Sequence, residues 1–412
     1  MSQVVKRRWP SGLGGSGLPR RDRRGCDYEA YIPDMLSGRA WVLQDYAAAD
    51  VADAERAVAA LNADASALTN TEALARLLIR TEAVASSKIE GLSIGARRLL
   101  HAEAKRRLLG LDADEVATEI LNNIEAMTAA IDAVGPDAPI TVEIILDLHA
   151  RLLAGTRLDE VGGQLRATQN WIGGSDYNPC SAEFVPPPPE RVPDLIEDLI
   201  AFSNEDGLPA VAQAAIAHAQ FETIHPFSDG NGRAGRAFMQ MILRRRGLTA
   251  RILPPISLVL ASMSQSYVDG LMMTRYRGPA TGKAAVEATS TWIGRFSAAT
   301  SRACEQATGY ERRASELIDD WRARLGTIRK GSATDRILGV LPGAPVLTIE
   351  SAASLLSVSD KPAAEAIGRL EQAGILRQTK AGARNRTFEC PEVIQAFTDL
   401  ERGLAVPPQP TP

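Results

Sequence analysis

From Val211 to Ile224 the chain runs Val-Ala-Gln-Ala-Ala-Ile-Ala-His-Ala-Gln-Phe-Glu-Thr-Ile, an apolar, Ala-rich stretch with the composition and length of a buried helix. Pro226 ends it, because proline disfavours helical geometry in the residue before it and donates nothing to the ladder. A second helix begins near Arg233, where Ala234, Phe238, Met241 and Ile242 recur at near-helical spacing. Upstream, residues 70–90 place Leu74, Leu77, Leu78 and Val84 on one inward face and stop at Gly91, a C′ glycine. Asp114–Val134 and Ile140–Leu153 are also helical, and another helix starts near Glu190 after a stiff run of four prolines. Residues 164–179 are rich in turn formers, and residues 301–333 read as a helical connector. Beyond it, Val346–Ser359 and Asp360–Gly374 read as helix, turn, helix, followed by two short strands at Ile375–Lys380 and Arg386–Cys390.

These elements, with 45% hydrophobic and only 5% aromatic residues, predict an all-α fold with small β-hairpins in a chain of 412 residues, long enough for two or three domains. A net charge of −4 argues against strong nonspecific nucleic-acid binding, and no apolar run reaches the length of a membrane span. Cys26, Cys180, Cys304 and Cys390 are too widely spaced to suggest a disulfide framework, which points to a reducing cytoplasm. Residues 1–40, with Lys6, Arg7, Arg8, Arg20, Arg21, Arg23 and Arg24 and no following apolar segment, read as a flexible basic arm rather than a signal peptide. The tail 401–412, ending in Pro-Pro-Gln-Pro-Thr-Pro, is expected to be disordered.

The chemistry is concentrated between the two central helices, in His225-Pro-Phe-Ser-Asp-Gly-Asn-Gly-Arg-Ala-Gly-Arg236. Gly230, Asn231 and Gly232 tolerate positive φ and let successive amides face one concavity, which is an anion nest. The N-terminus of the second helix faces the same loop, and Arg233 and Arg236 add two positive charges from one side of it. Asp229 is a hard oxygen ligand beside the nest, suited to Mg²⁺ that keeps waters and bridges phosphates. His225 has the ordinary basicity to take a proton from an incoming hydroxyl near neutral pH. Base, metal ligand and anion nest together imply phosphoryl or nucleotidyl transfer.

The dodecapeptide resembles the Fic signature, His-Pro-Phe-x-Asp/Glu-Gly-Asn-Gly-Arg-x-x-Arg, at every specified position. The resemblance implies a helical core over residues 41–300 that transfers AMP from ATP to a Ser, Thr or Tyr hydroxyl of a target protein. It makes His225 the general base, Asp229 the Mg²⁺ ligand, and Gly230 to Gly232 the phosphate-contacting turn. Arg233 and Arg236 would hold the β- and γ-phosphates, Gly235 would lie in the ATP site, and Phe227 would anchor the loop in the core. Ser86-x-x-x-Glu90-Gly91, four residues apart on a helix face, looks like the family's inhibitory motif within residues 70–91. Glu90 would then pair with Arg236 and occupy the fork meant for the γ-phosphate. Residues 164–179 resemble the family's flap, a β-hairpin whose backbone pairs with the target, with Trp171, Ile172, Gly173, Gly174 and Ser175 over the nucleotide. Tyr267 sits where family members place an aromatic near the adenine.

Residues 334–400 look like a winged helix-turn-helix whose wing carries Arg377, Lys380, Arg384 and Arg386, whereas its second helix carries Glu365 and Glu371. DNA binding and protein docking both remain open for it, and a second copy of the chain is a further candidate partner. A nucleotide-sensing DNA-binding regulator is therefore the rival reading from another class. Within enzymes, transfer of UMP, phosphate or phosphocholine, or removal of AMP, stands beside adenylyl transfer, because the cradle reads phosphates better than bases. His218, among alanines, is expected to satisfy a buried polar contact, while His101 and His149 read as isolated, with no Cys/His spacing suggesting zinc.

Overall fold

The computed structural model describes residues 2–11, 19–64, 71–109, 114–136, 138–379 and 386–403. In chain order the elements are β1 (Gln3–Trp9), α1 (Arg20–Arg23), β2 (Cys26–Ile32), α2 (Asp45–Asp64), α3 (Thr71–Ile89), α4 (Ala96–Leu109), α5 (Glu115–Asp132) and α6 (Val142–Leu153). They continue with α7 (Val192–Ser203), α8 (Ala210–Ile224), α9 (Asn231–Arg245), α10 (Ile256–Ser262), α11 (Ser264–Met273), α12 (Lys283–Leu325) and α13 (Ala333–Val340). The last are β3 (Val346–Leu347), α14 (Ile349–Leu356), α15 (Asp360–Gln372), β4 (Arg377–Gln378), β5 (Phe388–Glu389) and α16 (Pro391–Gly403). The chain forms two compact units, each discontinuous: Met1–Glu55 with Ala129–Leu248 and Gln265–Ala298, and Arg56–Thr128 with Thr249–Ser264 and Ala299–Pro412. The units divide between Ala298 and Ala299, near the boundary expected at residue 300 and within α12, a single 43-residue helix.

The first unit is built around α8, every one of whose 15 residues is buried. A helix with no polar stripe belongs inside a core, and α8 is packed by α7 and α9, with α6 against α9. Its polar side chains are satisfied locally: Gln213 donates to Phe202 O at 2.7 Å and Gln220 to Asp34 O at 2.8 Å. Phe221 sits against Phe227 and Phe238, so the ring that ends α8, the ring in the following loop and the ring on α9 form one apolar contact.

The N-terminal segment is not the flexible arm its charge suggested. β1 and β2 pair antiparallel over their full length, from Gln3 opposite Ile32 to Trp9 opposite Cys26. Tyr31 N donates to Val185 O at 3.0 Å, and the Tyr31 hydroxyl to Tyr276 O at 2.8 Å, which fastens the hairpin to the unit. The Gly-Gly-Ser-Gly stretch within residues 12–18 lies outside the described residues, as do residues 404–412 of the expected tail. The cysteine reading is also corrected: Cys26 and Cys180, far apart in sequence, form a disulfide, with Cα atoms 5.8 Å apart. Wide spacing argues against a framework of bridges but does not forbid one long-range pair.

In the second unit, α3 packs on α10, and the buried Glu82 accepts from Ser257 N and Ser257 Oγ, both at 2.7 Å. The end of α3 is a six-to-one, five-to-two cap: Leu92 N donates to Ser87 O and Gly91 N to Lys88 O, each at 3.0 Å. The C-terminal part runs helix, strand, helix, helix, strand, strand, helix, with sheet order β3-β5-β4. Trp321, Leu338, Leu370 and Phe388 share its core, and Thr348 and Ser351 close a reciprocal capping box at α14. The expected wing tip, including Lys380 and Arg384, lies outside the described residues.

Gly91 has φ +82°, a left-handed position. Gly91→Ala should therefore lower unfolding stability by about 1 kcal/mol through backbone strain alone. Its Cβ would meet nothing within 4 Å, so steric clash does not confound the result. A chemical-denaturation midpoint equal to the parent's would refute this account of the cap.

Candidate active site

All twelve positions of the central motif lie in the first unit, between α8 and the first turns of α9. His225 is the C-cap of α8 and has φ +51° and ψ +62°, one of two non-glycine residues with positive φ among the described residues. Such a conformation costs an L-residue about 1–2 kcal/mol and persists only where its surroundings enforce it. Here they do so through the carbonyl. Arg166 Nε donates to His225 O at 2.8 Å and Asn170 Nδ2 to the same oxygen at 3.2 Å. Arg166 also donates to Ile224 O at 3.2 Å, and its amide to Pro226 O at 2.9 Å. Burial lowers the Arg166 guanidinium to about 10, which leaves it cationic at neutral pH. The His225 imidazole keeps partial solvent access, with Nδ1 4.0 Å from Glu222 Oε2.

The loop closes on itself through Asn231. Its Oδ1 accepts from Phe227 N and its Nδ2 donates to Phe227 O, both at 2.8 Å. The Asn231 side chain thus shapes the turn from within, while its backbone contributes to the open helix end. The first bond of the α9 ladder runs from Ala234 N to Gly230 O at 3.0 Å. The amides of 231–233 therefore stand at the N-terminal end of the helix, where an anion is favoured. Gly235 serves packing rather than the nest. A Cβ there would lie 2.7 Å from Glu222 Oε1, so the missing side chain lets α8 and α9 approach.

His149, on α6, is not isolated. Its Nδ1 accepts from Gly163 N at 3.0 Å, which places the proton on Nε2, and Nε2 donates to Asp229 O at 3.0 Å. Its ring stacks on Phe227 with centroids 3.7 Å apart. Burial pushes its basicity down to about 4, outweighing the opposing pull of the Asp229 carbonyl and carboxylate. A neutral imidazole thereby fixes the backbone of Asp229, whose carboxylate is half exposed and 3.2 Å from buried Arg233. Arg236 is buried, and its Nη1 lies 3.5 Å from the Tyr267 hydroxyl. Tyr267 in turn bonds His218 Nε2 at 2.8 Å and stacks on its ring. His218 Nδ1 contacts Gly235 O at 3.1 Å, and burial followed by the Arg236 charge lowers the imidazole to about 3. The Tyr267 hydroxyl therefore links Arg236 to His218.

The flap is less regular than the expected hairpin and ends at Phe184 rather than at 179. It holds two isolated bridges, Ile172 with Phe184 and Ser175 with Asn178. Gly173 and Gly174 take φ +74° and +79°, and a Cβ on Gly174 would lie 2.4 Å from Ser181 O, so only glycine fits the tip. Gln169 Nε2 donates to Pro186 O at 3.0 Å, which ties the flap base to the proline run. A short 3-10 turn over Pro189–Arg191 then leads into α7, two residues later than expected. Ser86, Glu90 and Gly91 fall together at the end of α3 in the second unit, with Glu90 in the capping turn after the last helical residue. Sequence reasoning missed Arg166, Asn170 and His149 as loop-holding residues. The first two lie inside the stretch read as flap, and no local pattern marks any of the three.

Residues 139–243 match the Fic/DOC family model, and residues 48–132 match the Fic/DOC family N-terminal model. The chain matches the Fic/DOC family over these two segments. Protein adenylyltransferase fic-1 of Caenorhabditis elegans is 33% identical over 118 residues, 28% of this chain and 21% of that protein. A probable protein adenylyltransferase of Aquifex aeolicus is 45% identical over 75 residues, 18% of this chain and 23% of the relative. The match with these curated relatives thus spans less than a quarter of their length. Among solved structures, a Fic family protein from Desulfovibrio desulfuricans G20 aligns with a TM-score of 0.53 at 18% identity, covering 85% of this chain and 97% of its own, which shows a shared fold.

The two buried histidines of this Fic/DOC site make stability depend on acidity. Both are lowered from 6.5 in the folded state, to about 4 and about 3, so below pH 6.5 the unfolded chain takes up protons that the folded chain refuses. Stability should fall as pH drops from about 6.5 toward 4. Each such proton contributes about 1.4 kcal/mol per pH unit. Urea midpoints measured between these limits should show a shallower slope for His149→Gln than for the parent; equal slopes would exclude His149 as a contributor.

Proposed function

We propose that this chain transfers AMP from ATP to a Ser, Thr or Tyr hydroxyl of a target protein, and to its own hydroxyls, releasing pyrophosphate. One observation carries the reading: His225 is held in a strained backbone position at the start of the loop that leads to an open helix N-terminus carrying two buried arginines. A base placed beside an anion cradle suits attack of a hydroxyl on a phosphate ester. The names of the curated relatives matched over this segment support adenylyl as the group transferred. In the step, the acceptor oxygen bonds to the α-phosphorus, the bond from that phosphorus to the bridging oxygen breaks, and His225 takes the acceptor's proton. The amides of 231–233 with Arg233 and Arg236 hold the β- and γ-phosphates, and the flap presents the acceptor.

The Asp229 carboxylate fits Mg²⁺, since it is half exposed beside the cradle. Among the described residues no cluster of three or more His, Cys, Asp or Glu could hold a metal alone. A single carboxylate with phosphate oxygens and waters is the coordination Mg²⁺ favours, and the ion would neutralise phosphate charge there. We further infer that Glu90 restrains the enzyme by competing with the γ-phosphate for Arg236. The Ser86-x-x-x-Glu90-Gly91 pattern and its capped helix end support this. For the C-terminal module we favour protein docking over DNA reading, because Arg377, a cation of the expected wing, is paired with buried Glu389.

With Mg-ATP, Glu90→Gly should raise self-modification by at least about tenfold, the equivalent of about 1.4 kcal/mol. Intact-mass analysis should show AMP adducts on that variant; the absence of any increase over the parent would end the autoinhibition reading. Adding His225→Ala to Glu90→Gly should reduce the rate by about 100-fold or more. Adducts of phosphate or UMP in place of AMP would redirect the assignment of the transferred group.

A further inference from the structure

We propose that the β1–β2 hairpin is the positioning element of the flap, and that the Cys26–Cys180 bond makes this positioning depend on thiol–disulfide state. The flap has little structure of its own, with two isolated bridges and a tip bent by two left-handed glycines. Trp9, Asp22 and Cys26 add support from outside it. Ser175 Oγ donates to Asp22 Oδ1 at 2.7 Å, and Asn178 Nδ2 donates to Asp22 O at 3.0 Å. The Trp171 ring meets Trp9 edge to face at 5.3 Å, and the Trp171 indole nitrogen donates to Ser175 O at 2.7 Å. Because Trp9 pairs with Cys26 in the hairpin register, the aromatic contact and the covalent bond sit at the same end of the hairpin. A carboxylate, an aromatic edge and a disulfide thus hold three successive parts of the flap, and all belong to the first unit.

Cys180 is exposed, so the bond is open to attack from solvent. Cys304 and Cys390 are both buried with thiols pushed up to about 12, which makes them poor candidates to exchange with it. The reductant is therefore an external dithiol. Its thiolate attacks one sulfur and the S–S bond breaks. Its second thiol then resolves the mixed disulfide, leaving two protein thiols and one oxidised dithiol; two electrons and two protons enter the protein. Once the bond is broken, the Asp22 and Trp9 contacts lose their covalent backing.

Hydrogen exchange on the full chain, untreated and treated with dithiothreitol, tests this directly. Peptides covering 170–182 should exchange about fivefold faster or more after reduction, while peptides covering 225–236 stay unchanged. Cys26→Ser/Cys180→Ser should reproduce the reduced pattern without reductant. Asp22→Ala should add to it, and Asp22→Glu should recover part of the protection. Reducing the folded parent requires no mutation, so a variant that fails to fold does not blunt the test. Equal flap exchange before and after reduction would overturn the proposal, as would complete alkylation of Cys26 and Cys180 in the untreated folded protein. The functional consequence rests on the transferase reading. Self-modification at saturating Mg-ATP should slow on reduction while the half-saturating ATP concentration stays constant. If no form of the protein self-modifies yet flap exchange responds to reduction, the transferase reading fails and the positioning role stands.

Discussion

Two hydrogen bonds to the carbonyl of His225 hold the catalytic loop in a shape that its own sequence disfavours. Left-handed backbone at a histidine is costly, and Arg166 and Asn170 offset that cost by donating to the same oxygen. Everything after His225 inherits its direction from this point. Phe227 drops into the core against Phe221 and His149, Asn231 ties the loop back to Phe227, and α9 starts with its amide end open. The residues of the motif divide accordingly into those that face outward for chemistry and those that hold the turn from within. The side chain of Asn231 and the missing side chain of Gly235 serve the second purpose.

The helices around the site were legible because their information is local. Ala-rich composition, the apolar spacing of Ala234, Phe238 and Met241, and Gly91 after the last turn of α3 each act within a few residues. Arg166, Asn170 and His149 escaped because they recognise backbone carbonyls on distant segments. His149 and Asp229 are 80 positions apart, and no spacing rule links a helix histidine to a loop carbonyl at that range. The N-terminal hairpin was misread for a different reason. Lys6, Arg7 and Arg8 interrupt the alternation of β1, so charge masked a strand whose order comes from pairing with β2 and from the flap beyond it.

The grouping of segments into units is likewise not local in sequence. The second unit brings early helices and the C-terminal module together, and one carboxylate shows how tightly. Burial alone would raise Glu389, but hydrogen bonds from His101, Arg377 and Arg97 outweigh it and hold the group down to about 2. His101 and Arg97 lie on α4, so a helix shortly after the Glu90 turn and a strand near the end of the chain share a buried charge cluster. Linear reading assigns these segments to separate domains because nothing between residues 109 and 377 announces the contact.

Strand pairing gives the hairpin a sensitivity that point substitution does not reach. Side chains on β1 alternate between faces, and Trp9 reaches Trp171 only in the register that sets it opposite Cys26. Insertion or deletion of a single residue between Gln3 and Arg8 would leave composition and charge almost untouched. Keeping the Trp9–Cys26 pair would then turn the rest of β1 over, whereas keeping the rest would deliver Arg8 or Pro10 to the tryptophan's place. The phase of seven residues near the start of the chain is thus part of the architecture of a site built more than 150 positions later.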